Sequence, residues 1–140
     1  MDLSKRFVIS RPRDEVVERL CCDETLLGLL SRGETEIVES DGDHRTTRTR
    51  YTALGREGVA TFRFTFLMDG NVRFEKVCDG RVWKKLEGQV SVEELDDDSC
   101  EVKIELSGRT KALVPELAIK LPMEEQIRDM TTALEERLSG

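Results

Sequence analysis

Val59-Ala60-Thr61-Phe62-Arg63-Phe64-Thr65-Phe66-Leu67-Met68 is the most strictly patterned stretch of the chain, and its reading decides the fold class. Phe62, Phe64 and Phe66 alternate with Arg63 and Thr65, a period of two that sets the rings on one face of a strand and the polar groups on the other. A strand with one dry and one wet face needs paired neighbours, and both flanks supply them. Downstream, Asp69-Gly70 turns the chain into Asn71 to Cys78, and Asp79-Gly80 turns it again into Arg81 to Leu95. Asp96-Asp97-Asp98 leads to Ser99 to Thr110, where Cys100, Val102, Ile104 and Leu106 share one face and Glu101, Lys103 and Glu105 the other. Upstream, Glu34 to Ser40 and the threonine-rich His44 to Ala53 flank the hairpin signal Asp41-Gly42-Asp43, with Gly55 to Gly58 as the next connection. The spacing predicts a six-strand antiparallel meander.

The ends are helical apart from a first strand over Lys5 to Ser10. Pro12 and the acids Asp14 and Glu15 open a short helix over Arg13 to Cys22, with Val16, Val17 and Leu20 as its apolar face. A second helix is expected over Glu24 to Leu30, N-capped by Asp23, burying Leu26, Leu27, Leu29 and Leu30 and ending at Gly33. The longest helix runs from about Ala112 to Leu138, where Met123, Ile127, Met130, Leu134 and Leu138 form one stripe. Glu116–Lys120 and Glu124–Arg128 are expected as exposed pairs, and Pro122 must kink or divide the helix.

Composition narrows the function. The chain has 140 residues, which suits one domain spanning 1–140 with a core of its own. Its 29 acidic and 22 basic side chains give a net charge of −7, which argues against nucleic-acid or generic anionic-membrane binding. No apolar run approaches the roughly 18 residues of a membrane span, and the first residues lack a signal-peptide core, so a cytoplasmic location is expected. Cys21, Cys22, Cys78 and Cys100 form no CxxC pair and read as buried reduced thiols. With His44 as the only histidine, beside a turn and exposed, no metal and no cofactor are expected. No GxSxG, HExxH, Walker or GxGxxG motif is present.

The order strand, two small helices, meander, long helix resembles the START-like or SRPBCC superfamily. This is the helix-grip fold shared by Bet v 1-type allergens, polyketide cyclase/dehydrase-like proteins and lipid-transfer domains. The likeness rests on Phe7-Val8-Ile9-Ser10-Arg11-Pro12-Arg13-Asp14-Glu15-Val16-Val17, on the hairpin from Leu86-Glu87-Gly88-Gln89-Val90 to Ile104-Glu105-Leu106-Ser107-Gly108, and on Leu113-Val114-Pro115-Glu116-Leu117 leading to Ala133-Leu134-Glu135-Glu136. Its pattern is nearest to bacterial proteins of the carbon monoxide dehydrogenase G-subunit-like and polyketide cyclase/dehydrase-like types. The resemblance implies an α+β fold, a seven-stranded curved antiparallel sheet wrapped around the C-terminal helix, with two short helices after the first strand. It also implies a cavity between sheet and helix for a small hydrophobic molecule such as a lipid, quinone or polyketide. Binding or transport of that molecule, cyclase/dehydrase chemistry upon it, and a protein-interaction role remain open as functions. A protein partner is allowed, and the oligomeric state is not fixed.

If the three phenylalanines face inward, Phe74 and Leu86 join them, and the helix sets Leu117, Leu121, Met123, Ile127 and Met130 against them. Plain core packing gives the same pattern. Tyr51 is out of phase with Arg48 and Arg50, so its hydroxyl is expected toward the cavity. The arginines of that strand are expected to meet cross-strand acids such as Glu36 or Glu39. Strict alternation also puts Lys76 and Lys84 on the apolar face, as ligand-recognising cations. A β-bulge near Trp83 is the favoured alternative, which turns the lysines outward and Trp83 inward. Tyr51, Lys76 and Lys84 are the acid/base candidates under the enzyme reading.

Overall fold

The computed structural model describes residues 1–53 and 55–140. Seven strands form one antiparallel, curved sheet in the order β1-β7-β6-β5-β4-β3-β2. The strands are β1 (Asp2–Ile9), β2 (Gly33–Asp41), β3 (His44–Ala53), β4 (Arg56–Phe66), β5 (Val72–Lys76), β6 (Trp83–Asp96) and β7 (Ser99–Thr110). Helices α1 (Arg13–Leu20) and α2 (Asp23–Gly28) separate β1 from β2, and α3 (Glu116–Ser139) closes the chain. Sequential strands β2 to β7 are neighbours, while β1 crosses over to pair with β7, Asp2 opposite Ser107 and Ile9 opposite Cys100.

The turn chemistry follows from short polar side chains. Asp69, Asp79 and Asp96 each accept the backbone N–H two residues on, at 2.9, 2.9 and 2.8 Å. Gly70 and Gly80 follow with φ of +88° and +81°, a region closed to most side chains. These backbone donors hold the Asp79 and Asp96 carboxyls below their ordinary range.

Alternation along β7 is as read: Cys100, Val102, Ile104 and Leu106 are all buried. Against them lies the α3 stripe Met123, Ile127, Met130, Leu134 and Leu138, each side chain contributing about 1.5–3 kcal/mol by leaving water. The C-terminal end of α3 is tied down by arginines around α1. Arg11 donates to the carbonyls of Ser139 and Gly140 at 3.3 Å, and Arg19 to that of Leu138 at 3.2 Å. Cations on orphan carbonyls also suit the negative end of the helix dipole.

Several expectations are corrected. Leu27 is exposed, because α2 is a single turn and a half and only Leu26, Leu29 and half of Leu30 reach the core. Gly33 opens β2 rather than closing a helix. Pro122 does not divide α3, which runs through it unbroken. Glu116 meets the Met1 ammonium at 3.7 Å, not Lys120, and Glu124–Arg128 is not among the ion pairs of the described residues. Leu117 and Leu121 are 83% and 64% exposed. At 100° per residue they sit about 120° and 160° around the helix from Met123, on its outer face. Ile119, not these leucines, turns inward.

Candidate functional site

A straight helix cannot follow a curved sheet along its whole width. Helix α3 packs on β1 and β7 and on α1 and α2. The gap it leaves over β3, β4 and β5 is a cavity of about 450 Å³. Small residues help create it: Ala60 shares the phase of Phe62 and Phe64 on β4, and Thr49 points in from β3. Phe62, Phe64 and Phe74 form the floor, with centroids 5.6 to 6.4 Å apart, Phe64 opposite Phe74 across the β4–β5 ladder. Trp83 and Leu86 close one end, and Met123 and Met130 form the roof. Methionine is adaptable, so this roof can fit ligands of differing outline.

Two glycines hold the rings in place. A Cβ at Gly58 would lie 2.5 Å from Cζ of Tyr51, its cross-strand partner, and one at Gly108 would lie 2.5 Å from the Trp83 ring. Each ring therefore lies flat on bare backbone.

Few polar groups enter this space. Lys76, opposite Phe62, is half-buried on the wall and has no ion-pair partner among the described residues. Tyr51 is 37% exposed at the rim. The Thr49 hydroxyl is already bonded to that of Thr35 at 2.8 Å. At the mouth, Arg32 reaches Asp129 at 2.7 Å and Glu125 at 3.7 Å, joining the α2–β2 connection to α3.

Of the residues expected at the site, Tyr51, Phe62, Phe64, Phe74, Lys76, Trp83, Leu86, Met123 and Met130 are brought together around the cavity. The register of β6 shifts between Trp83 and Lys85. That bulge buries Trp83 to 7% exposure and turns Lys84 to solvent, so Lys84 is off the site. Phe66 lies beneath the Arg45 guanidinium, 5.4 Å from it, and Arg45 itself reaches Asp23 at 3.1 Å, not Glu39. Ile127 is packed in the core and does not line the cavity, and Leu117 and Leu121 face outward. The segment Leu29 to Gly33, with Glu125, Gln126 and Asp129, adds lining that the strand and helix patterns do not point to. Its one signal is the apolar pair Leu29-Leu30 running into an arginine. Arg48 does pair with Glu36, at 4.0 Å, on the solvated face.

The outer face of the sheet carries a shallower depression of about 620 Å³. Its walls are charged and mostly exposed, with Arg63 and Glu75 paired at 4.0 Å and Lys103 and Glu105 at 3.4 Å. It is a solvated surface. Cys100 is fully buried, whereas Cys21, Cys22 and Cys78 are only half-buried. Burial raises the thiol pKa of Cys21 and Cys100, with the neighbouring Cys22 adding to the effect at Cys21.

No family model and no curated protein matches the sequence. Solved structures do. The aromatase/cyclase Zhui from Streptomyces sp. R1128 superposes with a TM-score of 0.79 at 15% identity, over 100% of this chain and 92% of that one. The chain has the START-like helix-grip fold. A START superfamily protein from Mycobacterium smegmatis gives 0.76 at 19% identity, over 98% and 96% of the two chains. A STAR-related lipid transfer protein from Xanthomonas axonopodis gives 0.72 at 17%, over 99% and 86%. At such identities the START-like likeness is one of fold. Among the described residues, no helix is long and apolar enough to cross a membrane.

Proposed function

We propose that this START-like chain binds a small, largely apolar molecule carrying one anionic or carbonyl group, with its body on the Phe62–Phe64–Phe74 floor and its polar group at Lys76. The observation that carries this reading is the hollow itself, walled by rings and methionines, with one lysine that forms no ion pair among the described residues. Such a pocket fits the ordinary pattern of small-molecule sites, in which apolar walls supply affinity and a few polar groups set orientation. Solved neighbours described as lipid-transfer proteins and as aromatase/cyclases support an apolar cargo.

Native mass spectrometry before and after solvent extraction tests for retained cargo. Two dyes test the chemistry: anionic 1-anilinonaphthalene-8-sulfonate and neutral N-phenyl-1-naphthylamine. Both are expected to bind, and Lys76→Met is expected to weaken the anionic dye about tenfold while sparing the neutral one. Failure of both dyes to bind, together with no mass released on extraction, overturns the reading. Equal loss of the two dyes overturns the role of Lys76.

A further inference from the structure

One end of the molecule departs from the rest in both charge and exposure. Residues 76–85 and 109–120 hold seven Lys or Arg against two acids, a local charge of +5 in a chain of −7. Backbone pairing gathers them. Lys85 lies opposite Arg109 on the β6–β7 ladder, the Lys111 N–H donates to the Val82 carbonyl at 2.9 Å, and Lys111 Nζ lies beside Gly80. Both acids are already matched, Asp79 by Arg81 at 3.6 Å and Glu116 by the Met1 ammonium at 3.7 Å. Lys84, Arg109, Lys111 and Lys120 are exposed and have no ion-pair partner among the described residues.

From this basic end project Leu113, Leu117 and Leu121, 96%, 83% and 64% exposed and spaced four residues apart. Leu117, Lys120 and Leu121 are neighbours on the helix at i, i+3 and i+4, and Glu124 and Arg128 continue that face with cancelling charge. The far end of α3 is clamped by Arg11 and Arg19, while its first turn is held by the Glu116–Met1 pair and by Ile119, which leaves Leu117 and Leu121 facing water.

We propose that this end docks on an anionic lipid surface, the three leucines entering the headgroup–acyl boundary while the four cations meet the headgroups. Apolar side chains on a basic amphipathic element are the physical signature of interfacial binding. Scattered cations around protruding leucines match a fluid, uniformly negative surface. A second copy meeting it through the same end, as a two-fold dimer would, presents the same positive charge and is repelled. Local charge, not the net −7, decides the contact, because fields beyond about 10 Å are screened at 0.1 M salt. The proposal stands without any cargo in the cavity.

Vesicle flotation with the full chain tests it, comparing phosphatidylcholine alone with phosphatidylcholine containing about 30 mol% phosphatidylserine. The chain is expected to float with the anionic vesicles and to be released as salt rises from about 0.1 M to about 1 M. Both L113N/L117N/L121N and K84Q/K111Q/K120Q are expected to bind at least about tenfold more weakly. All six positions are exposed, and circular dichroism checks that the variants stay folded. No flotation with anionic vesicles overturns the proposal. So does a leucine variant that floats like the parent, since charge alone would then explain adsorption. Displacement by soluble polyglutamate without any effect of the leucines would assign the surface to an acidic protein, and would overturn it too.

Discussion

Phe74 lies across the β5–β6 ladder from Gly88, its ring folded over the glycine Cα, while the carbonyl of Glu105 closes the other side. A Cβ at Gly88 would come within 2.6 Å of that carbonyl as well as striking the ring. Gly88→Ala is therefore expected to cost about 1–3 kcal/mol and to push Phe74 into the cavity. Gly28→Ala is the control: nothing lies within 4 Å of its added Cβ, and in α2 alanine is worth about 0.5–1 kcal/mol over glycine. Urea unfolding should order the proteins G28A, parent, G88A, and G88A should bind naphthylamine dye more weakly. An unchanged midpoint for G88A would show that the sheet yields locally.

Arg32 holds Glu125 and Asp129 across the mouth of the cavity with 72% of its own side chain in water. An exposed pair of this kind contributes about 1 kcal/mol at most. Arg32→Ala should leave the unfolding midpoint nearly in place, yet speed both uptake and release of N-phenyl-1-naphthylamine in stopped flow. Equal rates in the two proteins would mean that the clasp does not gate the opening.

The thiols give a pH signature. Cys100 is 0% exposed, and burial lifts its pKa, like that of Cys21, above the ordinary 9.0. A raised pKa in the folded state means that the stabilising contribution is present below the unfolded value and is lost as pH rises through the folded one. Stability should decline on the alkaline side, and less so in C21A/C100A. At pH 8, Ellman's reagent should modify Cys100 only as fast as the native chain opens. Prompt titration of all four thiols would contradict the packing of β7 against α3.

Strand pattern was legible because burial on one face writes a period of two into the sequence. The alternation of Phe62, Phe64 and Phe66, and of Cys100 to Leu106, marked the correct face throughout. The α3 stripe from Met123 to Leu138 was equally plain. The misplaced residues have physical causes. Strict alternation put Lys84 on the apolar face, but the favoured alternative, a bulge near Trp83, is what the β6 register shows: Trp83 turns inward and Lys84 outward, while Leu86, Val90 and Val92 keep the expected face. Leu117 and Leu121 are apolar without being core, and only their helical phase against Met123 shows it. Arg32 joined the site through long-range closure onto α3, which local pattern does not encode. The resemblance implied a cavity between sheet and helix, but no local pattern gave its full lining. Its clearest local trace is Ala60, a small residue on the face that three phenylalanines share.

The place of β1 has a kinetic corollary. Asp2 pairs with Ser107, so β1 must wait for the last strand, about a hundred residues further along the chain, before finding its ladder. Until β7 leaves the ribosome, Phe7 and Ile9 belong to an orphan segment, and the half-made sheet offers the unsatisfied rim of β6 to any passing chain. Closure of β1 onto β7 depends on contacts separated by about a hundred residues, so it is expected to be slower than the sequential hairpins of β2 to β7.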